Sequence, residues 1–354
     1  MKTIDQRELQ PTLEKRLKEL FSRVNGIEVY GEKNVPQGKI DFEWNVSYFG
    51  RAFKILVEVK SNGNPRVLRQ TTTQLKTYMK SIDDSSKTYP IVAAPYISET
   101  GMDLCKEEGV GCFDLAGNCF ISFGSIYIES RGFKNAEPST RSIKSIFSPK
   151  SSRISRVLLS DVKKWWKIQE LAKEARVSIG LASRIKNRLL EEELAVEDGK
   201  SVKVKSPKSL LTAWVENYSY RKNKVQEYYT LNDPRISETT IQVYCKEQNI
   251  DCALGLFSGA SRVAPHVRFN KIFMYVDGDL DKTARENDLK PVSSGANVVF
   301  LRPYDKAIFM NCKEIDGLKV VSNIQLYLDL KTYKGRGEEA ADFLLKMKME
   351  LEWQ

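Results

Sequence analysis

The chain has 354 residues, 41% hydrophobic and 29% charged, with a formal net charge of +10. That length predicts about two to three domains, and the composition excludes disorder and collagen-like structure. No apolar run approaches the ~18 residues of a membrane helix, and charged Lys2, Asp5, Arg7 and Glu8 stand where an export signal needs an apolar core, so a cytoplasmic protein is expected.

The first block, about residues 1–135, opens with a helix. Leu13, Leu17, Leu20, Phe21 and Val24 recur at helical spacing, and Pro11 suits a first helical position. Strands are expected over Lys39–Tyr48, Phe53–Lys60, Pro90–Pro95 and Ile121–Glu129. Helices are expected near Val67–Lys80 and Glu99–Glu108. Strands alternating with helices argue for an α/β sheet. Six Cys lie within apolar runs and read as reduced core residues. Cys105, Cys112 and Cys119 are spaced by seven and no Cys-x-x-Cys occurs, so zinc is not expected. No phosphate loop and no G-x-G-x-x-G occurs either, so no nucleotide cofactor is expected.

Asp41, Glu58 and Lys60 carry chemistry in this block. Glu58 and Lys60 alternate on one strand and so share a face. A turn at Phe49-Gly50-Arg51 would fold the strand bearing Asp41 back beside it. Two carboxylates on one patch of sheet suit Mg²⁺ or Mn²⁺, which need few protein ligands. Lys60 could then orient water or steady developing charge. Asp41 followed by Glu58-Val59-Lys60 resembles the PD-(D/E)XK nuclease superfamily, with Ile40 where the family often has Pro. Gln74-Leu75-Lys76-Thr77-Tyr78 resembles the Gln-x-x-x-Tyr helix of its RecB-like branch. The resemblance implies a metal set of Asp41, Glu58 and Val59. It further implies contacts from Gln74 to the metal water or Lys60, from Tyr78 to a phosphate, and a helix-one carboxylate for which Glu14 is the candidate. Asp114-Leu115-Ala116-Gly117-Asn118 reads first as a tight turn, with a place at the edge of the site as the other reading.

Arg131 to Ser152 is polar, basic and punctuated by Pro138 and Pro149, and reads as a linker. The second block, about 145–215, falls in the segment that holds the charge. Residues 141–230 contain 20 Lys and Arg against 10 Asp and Glu, so they carry the whole excess. That is the footprint of a phosphate-backbone binder. Ile168–Arg176 reads as a helix, Val177-Ser178 as a turn with Ser178 as cap, and Ile179–Leu189 as a second helix. Leu194–Val196 and Val202–Val204 flank Asp198-Gly199 as a hairpin. Together these elements predict a winged helix-turn-helix. Its second helix would enter the major groove with its N-terminal residues, among Ser178, Gly180, Leu181, Ser183 and Asn187, on base edges and Arg184 and Lys186 on phosphates, while Lys200, Lys203 and Lys205 of the wing would supply more phosphate contacts. Trp165 and Trp166 read as core or rim packing.

The order of blocks, with Ala94-Pro95-Tyr96-Ile97-Ser98, Glu107–Gly111, Asp114–Asn118 and Phe147-Ser148-Pro149-Lys150, resembles the AbiEi-type regulators of type IV toxin–antitoxin systems, in a long form with an N-terminal nuclease-like domain. The resemblance covers residues 40–215 best. Over 225–354 it rests on Ala264-Pro265-His266-Val267 and Phe273-Met274-Tyr275-Val276. It implies double-stranded DNA as partner, transcriptional autoregulation, and a toxin protein or a second copy as further partner.

Composition changes again near Tyr218–Pro234, before a third block at about 225–354. Lys271–Val276 and Ala296–Leu301 read as strands and Glu338–Leu351 as a closing helix, giving an α+β domain. His266, the single histidine, reads as structural, and Asp277, Asp279 and Asp281 as turn residues. The expected architecture is therefore a restriction-endonuclease-like α/β sheet, a winged helix-turn-helix and an α+β domain. The expected function is a DNA-binding regulator of antitoxin type. The rival is a Mg²⁺-dependent endonuclease brought to DNA by its winged helix. A third reading is a toxin-neutralising protein acting through residues 225–354.

Overall fold

A computed structural model of the chain describes residues 6–34, 40–81, 87–133, 146–266 and 270–354. It forms two compact units: Met1–Arg141 with Leu190–Glu193, and Ser142–Leu189 with Leu194–Gln354. Apart from Leu190–Glu193, which include the last two residues of the second helix of the basic block, the second and third sequence blocks fall in the second unit.

The first unit comprises α1 (Gln6–Ser22), β1 (Ile27–Asn34), β2 (Phe42–Tyr48), β3 (Arg51–Val59), α2 (Pro65–Met79), β4 (Thr88–Ala94), α3 (Glu99–Glu107), β5 (Gly111–Asp114), β6 (Cys119–Phe123) and β7 (Ile126–Ser130). Among the described residues the seven strands form one sheet in chain order. β3, β4 and β5 run parallel at its centre, and antiparallel pairs flank them. Leu13, Leu17 and Phe21 of α1 pack with Phe42, Trp44, Ile55 and Val57 on one face. Leu68, Leu75 and Met102 of α2 and α3 pack with Leu56, Val92 and Cys112 on the other. Central strands buried on both faces read as continuous apolar runs, which is what Ile55–Val57 and Ile91–Ala94 are.

Several expectations change in detail. Pro11 lies inside α1 rather than at its first position, which forgoes one bond to the carbonyl four residues earlier. Ile121–Glu129 is a hairpin of β6 and β7, because Gly124 turns the chain with φ +55°. The strand from Lys39 starts at Phe42, and Lys39 lies outside the described residues. β1 and β5 were not expected; β1 mixes Gly31 with charged residues, and β5 is only four residues long.

The second unit begins with α4 (Pro149–Ser160), β8 (Trp166–Lys167), α5 (Ile168–Glu174), α6 (Ile179–Glu191), β9 (Ala195–Asp198), β10 (Ser201–Val204) and α7 (Pro207–Glu216). Pro149 is the first residue of α4, and Ile146, Phe147, Ser151 and Ser152 are buried, so this end of the expected linker is core. Residues 134–145 of that linker lie outside the described residues. β8, β10 and β9 form a small sheet in that order.

The unit continues with β11 (Lys224–Tyr229), α8 (Pro234–Glu247), β12 (Cys252–Leu254), α9 (Leu256–Val263), β13 (Ile272–Val276), α10 (Leu280–Arg285), β14 (Lys290–Pro291), β15 (Val298–Arg302), β16 (Lys313–Ile315), β17 (Leu318–Val320), α11 (Asn323–Lys331) and α12 (Gly337–Leu344). Its strands make a second sheet, ordered β14-β11-β15-β13-β12-β17-β16. The compositional change at Tyr218–Pro234 is no gap: Tyr218 and Tyr228 are buried and β11 pairs with β15. The six cysteines are free thiols, five of them buried.

Candidate functional site

β2 and β3 form a hairpin in which Tyr48 pairs with Arg51 and Phe42 with Val57. Phe49 and Gly50 turn it with φ +45° and +78°, as a two-residue hairpin loop with both central residues at positive φ requires. One step beyond the last pair, Asp41 comes beside Glu58. Its N–H donates to the Val57 carbonyl at 3.1 Å and its Oδ2 accepts from the Val59 N–H at 2.6 Å. Val59 thus takes part through its backbone. The backbone N–H of Lys60 is held by the Ala93 carbonyl at 2.8 Å, and its Nζ donates to Glu58 Oε1 at 2.6 Å. Gln74, from α2, also hydrogen-bonds Glu58. Burial pushes the Glu58 carboxyl up from its ordinary value and the Asp41 charge adds to this, while the bonds from Lys60 and Gln74 pull against it.

Asp41, Glu58, Lys60 and Gln74 therefore meet at one end of β3. Tyr78 packs half-buried against the second core cluster, one helical turn from Gln74. Glu14 does not complete a three-carboxylate set, since among the described residues no three Asp, Glu, His or Cys side chains converge to hold a metal. α1 instead reaches Asp41 through Gln10, whose Nε2 donates to the Asp41 carbonyl at 3.4 Å.

The basic block is a helix, a turn, a second helix and a hairpin. Arg176 makes the turn with φ +52°, and Ser178 Oγ caps α6 by accepting from the Leu181 N–H at 3.2 Å. Ala182, Ile185 and Leu189 face inward. Gly180, Arg184 and Asn187 are exposed on the opposite side, with Ser183 half-buried between them. Leu181 is half-buried. Lys186 is half-buried and bonds Glu197 of β9 at 3.0 Å. The hairpin loop is Gly199-Lys200 rather than Asp198-Gly199, because Asp198 already pairs with Ser201. Lys200 is exposed at its tip. Lys203 Nζ lies 4.9 Å from the centroid of the Trp165 ring, whereas Trp166 is buried. The sequence reading passed over Ile179, the first residue of α6, which is 53% exposed. The signal was a β-branched apolar residue placed directly after a cap.

Other candidates are tied into the structure. Asp114 is buried and accepts from the N–H groups of Ile97, Gly117 and Asn118 and from the Asn118 side chain, as a clamp on a tight turn would. Asp279 caps α10, Asp277 pairs with Lys306, and Asp281 accepts from Tyr228. His266 stacks on Phe343 at 4.2 Å and sits 3.2 Å from Glu339. Deep in the second unit, Asp329 accepts from Tyr218 at 2.6 Å, Tyr275 at 3.0 Å and Gln325 at 2.7 Å. Arg156 of α4 donates to Gln325. Burial pushes the Asp329 carboxyl up to about 7, although those donors and the Arg156 charge oppose it.

Residues 203–349 match a family described as transcriptional regulator, AbiEi antitoxin, type IV TA system. Residues 2–94 match a domain of unknown function (DUF8371). The family that the sequence resembles is the one whose model matches over 203–349, a stretch that includes most of 225–354, where the quoted motifs are fewest. No curated protein matches. Among solved structures, EndoMS in its apo form is 14% identical, with 29% of this chain and 45% of that one covered and a TM-score of 0.22. A structure of an EndoMS–dsDNA complex is 21% identical, with 29% and 44% covered and a TM-score of 0.21. A repair endonuclease from Pyrococcus abyssi is 19% identical, with 29% and 46% covered and a TM-score of 0.19. The chain spans under half the length of each. Among the described residues no helix is long and apolar enough to cross a membrane.

Proposed function

We propose that this chain, AbiEi-like over residues 203–349, is a DNA-binding transcriptional regulator of antitoxin type. In this reading residues 145–215 form a winged helix, flanked by a nuclease-like domain at 1–135 and an α+β domain at 225–354. The observation that carries it is the face of α6 bearing Gly180, Ser183, Arg184 and Asn187, which lies in the segment holding the chain's whole excess of positive charge. Arg and Asn can read guanine and adenine edges in the major groove. Exposed Lys200 and its neighbours would hold the phosphate backbone. A reporter driven by DNA upstream of the chain's own gene tests this. The protein should lower expression, and Arg184→Ala with Asn187→Ala should restore it at equal protein level. Unchanged repression by that variant would remove α6 as the reader.

The second reading, a metal-dependent endonuclease, is favoured by Asp41, Glu58, Lys60 and Gln74 meeting at one end of β3. The donor set fits Mg²⁺ or Mn²⁺: two carboxylates lie close enough that the Asp41 charge opposes ionisation of Glu58, a repulsion a cation relieves. Asp41 and Glu58 would hold the ion, with the Val59 carbonyl as an oxygen ligand. Such an ion supplies an activated water and neutralises phosphodiester charge. Lys60 would stabilise the charge that develops as water attacks phosphorus and the P–O3′ bond breaks, and Gln74 would keep Glu58 in place. Incubation with plasmid and Mg²⁺ or Mn²⁺ tests this reading. Cutting that Lys60→Ala abolishes would make the protein an enzyme; no cutting, with duplex binding kept, leaves it a regulator.

A further inference from the structure

Ile179 lies at the opening of α6, 53% exposed, although a buried position would gain hydrophobic free energy. The inner face of the helix is already filled by Ala182, Ile185 and Leu189. The next residue, Gly180, stands where an added methyl group would meet no atom within 4 Å. The helix start is nevertheless well defined, because Ser178 caps it. The result is an apolar side chain beside a bare stretch of backbone, at the point where the second helix of such a motif meets base edges. A hollow lined by Lys150, Lys173, Arg176, Ser178 and Leu181, with Arg153 held by Asp305, adjoins this helix start, so three cations lie beside it as phosphates would require.

We propose that the exposed Ile179 side chain, beside the open backbone of Gly180, meets the C5-methyl group of a thymine in the major groove. The inference rests on the DNA-binding reading and deepens it. Of the four bases, thymine alone presents a methyl group in that groove. Ile179 supplies the apolar contact, and Gly180 leaves room for the base edge to approach the backbone. Ser183, Arg184 and Asn187 follow along the same helix and read the neighbouring positions.

The test starts from selection of duplexes out of a randomised library by the full-length protein. The enriched sequence should contain a thymine at one or more fixed positions. Each is then replaced by deoxyuridine, which removes the methyl group and nothing else. At one position affinity should fall about fourfold, the worth of one buried methyl group. In Ile179→Ala the thymine and uracil duplexes should bind equally, with overall duplex binding kept. Equal binding of both duplexes by the wild type at every enriched thymine would overturn the proposal, as would an Ile179→Ala protein that still prefers thymine. If Ile179→Ala instead alters the sedimentation of the free protein, the side chain serves a protein contact and the proposal falls. Absence of any duplex binding would sink the DNA-binding reading itself, and this inference with it.

Discussion

Asp329 shows what burial does to a single residue. It is fully enclosed, and its carboxyl is pushed up to about 7 from an ordinary 3.8. The unfolded chain releases this proton near the ordinary value, while the folded chain keeps it to about 7. Between those points the unfolded state binds fewer protons, so this residue's contribution to stability falls as pH rises. Wild type should therefore lose more stability than Asp329→Asn on going from pH ~5 to pH ~8. Denaturant unfolding at both values checks this; an equal loss in the two proteins would mean that Asp329 is ionised throughout. Glu58 is raised by the same cause, but it reaches Lys60, Gln74 and the Asp41 charge at a strand end. The first carboxylate is sealed with its partners, whereas the second stands at a strand end beside another carboxylate.

At the scale of the element, α6 divides its work between two faces. Ile185 is buried at 2% exposure, so Ile185→Ala should cost about 2–5 kcal/mol of stability. Asn187 is exposed, and Asn187→Ala should stay within about 0.5 kcal/mol while weakening duplex binding. Thermal melts beside a binding titration separate the two; a destabilised Asn187→Ala would reassign that face to packing. This two-faced pattern is why the helix was legible in the sequence, since inward residues recur at three and four. The Asp41–Glu58 pairing was legible for a related reason: Phe49-Gly50 marks a hairpin, and strand alternation then fixes which residues share a face. The break at Gly124 was hidden, because one glycine in an apolar run reads as continuous strand. The Lys186–Glu197 pair was hidden too, because Glu197 lies on a hairpin eleven residues away and spacing along one helix does not reveal such a pair.

The whole molecule shows a different limit. Charge could be counted along the chain without any structure, and it marked one segment. The second unit shows how that segment is anchored. Arg156 of α4 bonds Gln325 of α11, and Arg153 bonds Asp305 at 3.0 Å, contacts more than 150 residues apart in sequence. Pairings that distant leave no local pattern, so the sequence does not show that these stretches pack within one compact unit. If the cationic helical block grips duplex DNA, as proposed, fluorescence anisotropy of a short labelled duplex across a salt series reads the grip out. Affinity should fall by about 10³-fold between about 50 and 200 mM salt, as for roughly six phosphate contacts. Lys200→Ala should lower the logarithmic slope by about one, and Arg184→Ala with Asn187→Ala should weaken binding at every salt. An affinity indifferent to salt, or one that these substitutions leave unchanged, would contradict the account.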